Sequence, residues 1–507
     1  MRRFETYEHQ DGGRPIVTEQ PSTGASSDPS SAPAKPGSAT NQTSGNTASG
    51  NTDAGHPEVA AAEAPKPKRD KHLYQIDLVR LVTFGGVILD HVMLSVTAPT
   101  SVAAGAVELF MRYTRYGFFS LTGFVLGYQY RNRELKAIPF WRRRYKLIGL
   151  PFITWSLFYW FYVRYKFGGV DAIRNAWDSF DAVERSLKSI AYDLITGNAA
   201  YHLYFLSVSM QIYLVFPFVL WALKRTWGKH RYILIVSFAF QMWIMFAMVR
   251  PPLSIFSSGV LGEVWSHLVV TIFPYQFFVL AGCIAAMHYE AFQSFMKRWR
   301  WQLIGVGAAV IIGTWLYYLY VVDQGEDLFR ATNVFMLHNL WAFIAIIVIL
   351  YALGTVWQER RHPGSIPDRF MKTASDRSFG IYLAHALALY ALLPQIDAAS
   401  IPAVLRVILA YLATVCLTIF IVETLRRSPI SLITTGRNRI DWRSQNAGRS
   451  ALVGLVAIAL GLILRLGFGW WAGNLIAVVG AFLIFSMALV FWHQYRSRDG
   501  EYTEETV

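Results

Sequence analysis

Asp77, Arg80 and His91 lie within one apolar run, residues 73–96, among leucines, valines and isoleucines. Charge in a lipid span costs roughly 2.5–3.5 kcal/mol for an Asp or Arg at a helix centre, so such groups face a protein interior or a watery cavity and mark function. As a helix, the run places Arg80 and His91 within about 20° of each other around the axis and about 16 Å apart along it. Asp77 falls close to the same stripe. An imidazole with an ordinary pKa of about 6.5 can remove a proton from an attacking hydroxyl, or attack an electrophile itself and hold a covalent intermediate. His91 is the candidate for either role, with a plain helix-packing histidine as the alternative. Asp77, three residues before Arg80, can neutralise it, so an internal ion pair competes with a catalytic part for Arg80. Asp90 neighbours His91 in sequence but points about 100° away.

A second group is cationic. Trp141-Arg142-Arg143-Arg144-Tyr145-Lys146 directly precedes an apolar run with Pro151 in its first turns. Arg143, Arg144 and Lys146 therefore gather at a helix N-terminus, where backbone amides and the helix dipole also favour anions. One reading is a site for a phosphate-bearing ligand; the other is that these residues only fix topology and touch anionic lipid. Tyr201 and His202 open a later apolar run and can shape a substrate pocket, or anchor the chain at the membrane interface. His338 and His385 lie inside apolar runs, where helix-to-helix hydrogen bonding is the expected use and orienting a substrate the alternative.

The elements that must position these groups follow from composition. Hydrophobic residues make up 54% of the 507 and charged residues only 16%, with mean hydropathy +0.31; this suits a chain dissolved mostly in lipid. The net charge of +14 comes from basic loops between apolar runs, as membrane topology requires, and not from a nucleic-acid footprint. Cys283 and Cys416 sit far apart in separate apolar runs, which leaves no disulfide framework and no metal-ligand spacing.

Runs of membrane length predict an all-α polytopic protein of about twelve transmembrane helices. They fall near 73–96, 116–130, 147–166, 201–223, 231–249, 268–288, 303–322, 334–357, 377–394, 402–424, 451–471 and 474–494, the last two joined by a turn at Ala472-Gly473-Asn474. Alternate loops, including 131–146, 224–231, 358–378 and 426–449, hold most of the Lys and Arg, so both termini are expected in the cytoplasm. Residues 1–70, rich in Ser, Gly, Ala, Pro and Thr, read as a disordered cytoplasmic tail without a secretory signal. A membrane core over 71–427, a basic linker over 428–450, a two-helix hairpin over 451–495 and a short tail over 496–507 complete the division. The outer loop of about 167–200 mixes carboxylates with Trp177 and Tyr192 and reads as an amphipathic surface helix.

Five strings, in order, carry a resemblance. Arg80, ten residues and His91 come first, then Phe118-Phe119-Ser120-Leu121-Thr122-Gly123-Phe124, then the basic cluster before Pro151. Tyr201-His202-Leu203-Tyr204-Phe205-Leu206 and Phe379-Gly380-Ile381-Tyr382-Leu383-Ala384-His385 follow. Over roughly residues 72–424 the chain resembles the integral-membrane acyltransferase family 3. Thr122 stands where that family has Ser, and Arg143-x-x-Lys146 stands for its Arg-x-x-Arg, a point charge replacing a planar guanidinium.

The resemblance implies a core of about ten helices that moves an acyl group, often acetyl, from cytoplasmic acyl-CoA to a hydroxyl of an envelope glycan, glycolipid or similar acceptor. His91 would be the family's first-span histidine, Arg80 its paired arginine, and Arg143, Arg144 and Lys146 the CoA phosphate site. No metal is implied. The plasma membrane is the expected location, with acyl-CoA, the acceptor and lipid as partners. A secondary transporter, the rival for twelve helices with intramembrane charge, would show repetition between halves. The seventh run carries no charge to answer the first.

Overall fold

Apolar runs long enough to cross a bilayer must satisfy every backbone amide internally, and helices do this without a partner strand. The computed structural model describes residues 72–504, with side-chain surroundings through Ser497, and no strand forms among them. The proposed disorder of residues 1–70 lies outside the described residues. Each of the twelve expected runs is helical: α1 (Tyr74–Val96), α2 (Tyr113–Tyr130), α3 (Leu150–Asn175), then the additional α4 (Phe180–Thr196), α5 (Tyr204–Arg225), α6 (His230–Met248) and α7 (Gln276–Met287). The series continues with α8 (Arg300–Asp323), α9 (Leu337–Arg360), α10 (Ile366–Ala398), α11 (Ala403–Arg427), α12 (Ala447–Leu462) and α13 (Ala472–Glu504).

Among the described residues nine helices have the length and apolarity to span a membrane. The three expected runs that fall short do so for visible reasons. α2 and α3 are diluted by tyrosines and glycines, and α7 holds only 12 residues because Pro274 breaks the preceding stretch into a short 3-10 turn.

Burial separates the central helices from those facing outward. In α1, 72% of the apolar window is enclosed by protein, against 17% in α8 and 17% in the span that contains α12. Protein, not lipid, therefore surrounds the charges of α1, which is the condition under which such charges are tolerated. α10 lies beside α1 and runs parallel to it, since Arg80 meets Ser375 and His91 meets His385 at matching heights.

Glycines set the closest approaches. α2 carries Gly123 and Gly127 one turn apart; a Cβ on Gly123 would collide with the Val279 carbonyl of α7, and one on Gly282 with the Ser120 carbonyl of α2. This is small-residue packing of the kind that brings membrane helices into backbone contact. The α12–α13 hairpin uses the same device through Gly454, Gly461, Gly473 and Gly480. Its turn falls earlier than the sequence suggests. Gly469, at φ 71°, supplies the left-handed residue, so Ala472-Gly473-Asn474 opens α13 instead of forming the turn.

The loop of 167–200 is largely helical, as expected. α3 runs on to Asn175 with a bend at Gly169, φ 65°. α4 begins where the Ser179 side chain accepts from the Ala182 amide and stops at Gly197, φ 81°. At Gly197 any side chain would strike the Tyr204 backbone. That left-handed stop turns the chain back and delivers Tyr201 and His202 to the head of α5.

Candidate active site

His91 is 1% exposed, on the inner face of α1. Its ring lies 4.5 Å from that of Tyr201 and 5.4 Å from that of His385, nearly parallel to the latter at 24°. His202 follows at 4.8 Å from His385. Three imidazoles from α1, α10 and the segment before α5 thus share one buried cluster. The Tyr201 and His202 expected at a substrate pocket meet His91 there. His385, expected to bond across helices, instead uses Nδ1 on its own helix, 2.6 Å from the Tyr382 carbonyl.

Two tyrosines hold this cluster, Tyr159, which sequence reasoning missed, and Tyr382 of the quoted string. The Tyr159 hydroxyl of α3 donates to the Leu383 carbonyl at 2.8 Å and accepts from the Leu387 amide at 3.1 Å. It thereby inserts a side chain into the hydrogen-bond ladder of α10 across the turn that carries His385. The Tyr382 hydroxyl donates to the His202 carbonyl and fixes the segment before α5 against α10. Both tyrosine rings stand edge-on to His202 at 5.3 Å. Among the described residues no three His, Cys, Asp or Glu side chains are set to hold a metal ion.

Arg80 lies toward the other end of the α1 stripe and does not reach His91. It donates to the Ser375 hydroxyl at 2.6 Å, and that hydroxyl donates to Asp77 at 2.8 Å. The direct Arg80–Asp77 separation is 3.8 Å. The ion pair weighed from sequence therefore exists, joined through a serine of α10.

The basic cluster before α3 divides. Arg143 and Lys146 are exposed, while Arg144 is buried, donates to Gln129 at 2.7 Å and packs over the rings of Phe140 and Tyr213. Arg144 faces the interior because Phe140 and Tyr213 offer its planar cation two aromatic faces. A further charged network was not anticipated. Asp376, next to Ser375, pairs with Arg377 at 2.6 Å, Arg426 at 3.0 Å and Arg437 at 3.6 Å. Glu423 pairs with Arg377 at 2.7 Å and with Arg427. Two carboxylates thus face four guanidiniums, a surplus of two positive charges (4 − 2) next to the Arg80 end of the stripe. The signal was present as Asp376-Arg377 at the head of one apolar run and Glu423 with Arg426-Arg427 at the end of the next.

A family model described as an acyltransferase domain, that of the acyltransferase 3 family, matches residues 73–423. The chain belongs to the acyltransferase 3 family. Neither a curated protein nor a solved structure matches it. As a member of this acyltransferase family it is a multi-pass membrane acyltransferase, and the match ends at the foot of α11. α12 and α13 lie beyond it. Three of the five strings quoted for the acyltransferase 3 resemblance meet in the fold. His91, Tyr201-His202 and Tyr382 to His385 make one site, and Thr122-Gly123-Phe124 forms the close α2–α7 contact.

Proposed function

We propose that the chain is an acyl-CoA-dependent O-acyltransferase of the plasma membrane. It moves an acyl group, acetyl in the first instance, from cytoplasmic acyl-CoA to a hydroxyl of an envelope glycan, glycolipid or similar acceptor. His91 serves as general base or as transient acyl acceptor. The observation that supports this reading is the convergence of three family strings, distant in sequence, on one buried imidazole cluster around His91.

The charge distribution supports the donor assignment. Surplus guanidinium charge from Arg377, Arg426, Arg427 and Arg437 gathers near the Arg80 end, and Arg143 and Lys146 are exposed on the chain leading into α3. Phosphates bound by these cations would leave the pantetheine arm about 16 Å of α1 to traverse before its thioester reaches His91. Arg80, held by Asp77 and Ser375, lines that path. Tyr201 and His202 stand on the acceptor side of His91.

The test uses membranes containing the chain, labelled acetyl-CoA, and mass spectrometry of lipids and glycans from cells with and without the protein. An acetyl-sized mass should disappear with the protein and with His91→Ala. Unchanged acylation profiles in both cases would sink the reading.

A further inference from the structure

The site holds one more basic nitrogen than a single general base needs. His385 is fully buried. Its Nδ1 lies 2.6 Å from the Tyr382 carbonyl. A carbonyl can only accept, so Nδ1 carries the proton and the neutral ring presents a bare lone pair at Nε2. That Nε2 is buried and has no hydrogen-bond partner. An unsatisfied buried acceptor costs free energy and calls for an explanation. The tautomer is fixed, the Tyr159 hydroxyl locks the backbone turn around it, and the ring lies 5.4 Å from His91. His202 is equally buried.

We propose that His385 is the second catalytic base and that the two imidazoles divide the reaction, His91 carrying the acyl group and His385 receiving the acceptor's proton. The inference rests on the acyl-transfer reading above. In the first half, a neutral ring nitrogen of His91 attacks the thioester carbonyl and the C–S bond breaks. The proton on the other His91 nitrogen goes to the departing thiolate, which leaves CoA thiol and a neutral acyl-imidazole. In the second half, the acceptor oxygen attacks the acyl carbon while its proton moves to His385 Nε2. The C–N bond breaks and its electron pair returns to His91. The proton on His385 then passes to the His91 imidazolate, and both rings are neutral again. A single imidazole does this poorly, because acylation of one nitrogen leaves the other a much weaker base.

The experiment separates the halves. Membranes carrying the chain and its own acceptor receive acetyl-CoA labelled in the acetyl group; released thiol, label on the protein and label passed onward are followed together. His385→Gln and His385→Asn keep a polar amide but no base, and retention of the melting shift with acetyl-CoA identifies folded protein. Both should release one CoA per chain, retain the label on the protein and pass it onward about 10²-fold or more slowly than the unaltered chain. His91→Ala should release none. Onward transfer within about twofold of the unaltered chain, or folded His385 variants that release no CoA, would overturn the division of roles. Failure of the unaltered chain to cleave acetyl-CoA would instead strike the proposed function.

Discussion

Arg80 and Ser375 meet at 2.6 Å, and the same serine hydroxyl passes a hydrogen bond on to Asp77 at 2.8 Å. Two opposite charges are thereby satisfied between parallel helices, within protein that excludes both lipid and bulk water. Removing one charge leaves the other buried without compensation, a loss of about 3–5 kcal/mol. Arg80→Ala and Asp77→Ala should each lower the melting temperature sharply. The double variant should lose less than the sum of the two. Additive losses in this cycle would show that the pair is not coupled.

His91 makes a different demand on the fold. In the role proposed for it, His91→Ala should reduce acyl transfer by at least about 10²-fold. The melting shift expected with acyl-CoA should remain, because the cations proposed to bind the donor are distant from the ring. Transfer at an undiminished rate would remove His91 from the mechanism.

The helices were legible because apolar length alone fixes them, and α1 was legible as a helix enclosed by protein because its charges are expensive in lipid. The meeting of α1 with α10 was not, since an isolated His385 in an apolar run gives no sign of which neighbour it faces. Tyr159 was invisible for a related reason. A tyrosine in an aromatic-rich span looks like packing, and only the tertiary fold shows its hydroxyl inserted between Leu383 and Leu387. The basic string before α3 reads in sequence as one cationic group, for a phosphate-bearing ligand or for topology alone, but helical periodicity turns Arg144 inward while Arg143 and Lys146 stay outside.

That division yields a contrast between neighbouring residues. Arg143→Ala with Lys146→Ala should weaken acyl-CoA binding, more so at low ionic strength, because exposed charges act through screened attraction. Arg144→Ala should act on stability instead, leaving Gln129 without its donor and the Phe140 and Tyr213 rings without their cation, at a cost of about 1–3 kcal/mol. Titration of donor binding against salt, alongside melting curves, checks both. Equal effects of the two variants on binding would contradict the inward placement of Arg144.

Asp193 on the surface helix α4 gives a pH-dependent expectation. Burial pushes its carboxyl up from the usual 3.8 to about 6, against the pull of Arg164. The folded state therefore favours the protonated form. This contribution is fully present below the unfolded pKa and is lost as pH rises through about 6. Asp193→Asn should raise the melting temperature at a pH of about 7.5 and change it little at about 4. A stabilisation that is the same at both values would contradict the burial of the charge.

The α2–α7 contact supplies a test of packing alone. Gly123 and Gly282 bring the two backbones so close that a methyl group at either position would overlap a carbonyl of the facing helix, Val279 or Ser120. Backbone cannot rotate aside as a flexible side chain can, so Gly123→Ala forces the helices apart at a cost of about 1–3 kcal/mol or more. Tyr275 of the turn before α7 and Phe119 of α2 are in ring contact at 4.5 Å, and Phe119 stacks on Phe205 of α5 at 3.8 Å. Separation of α2 from α7 would therefore also disturb the head of α5, where Tyr201 and His202 are held. Gly123→Ala should lower both melting temperature and acyl transfer, whereas alanine at Gly305, which has open space around it, should change neither. Equal tolerance at the two glycines would show that α2 and α7 do not approach through Gly123.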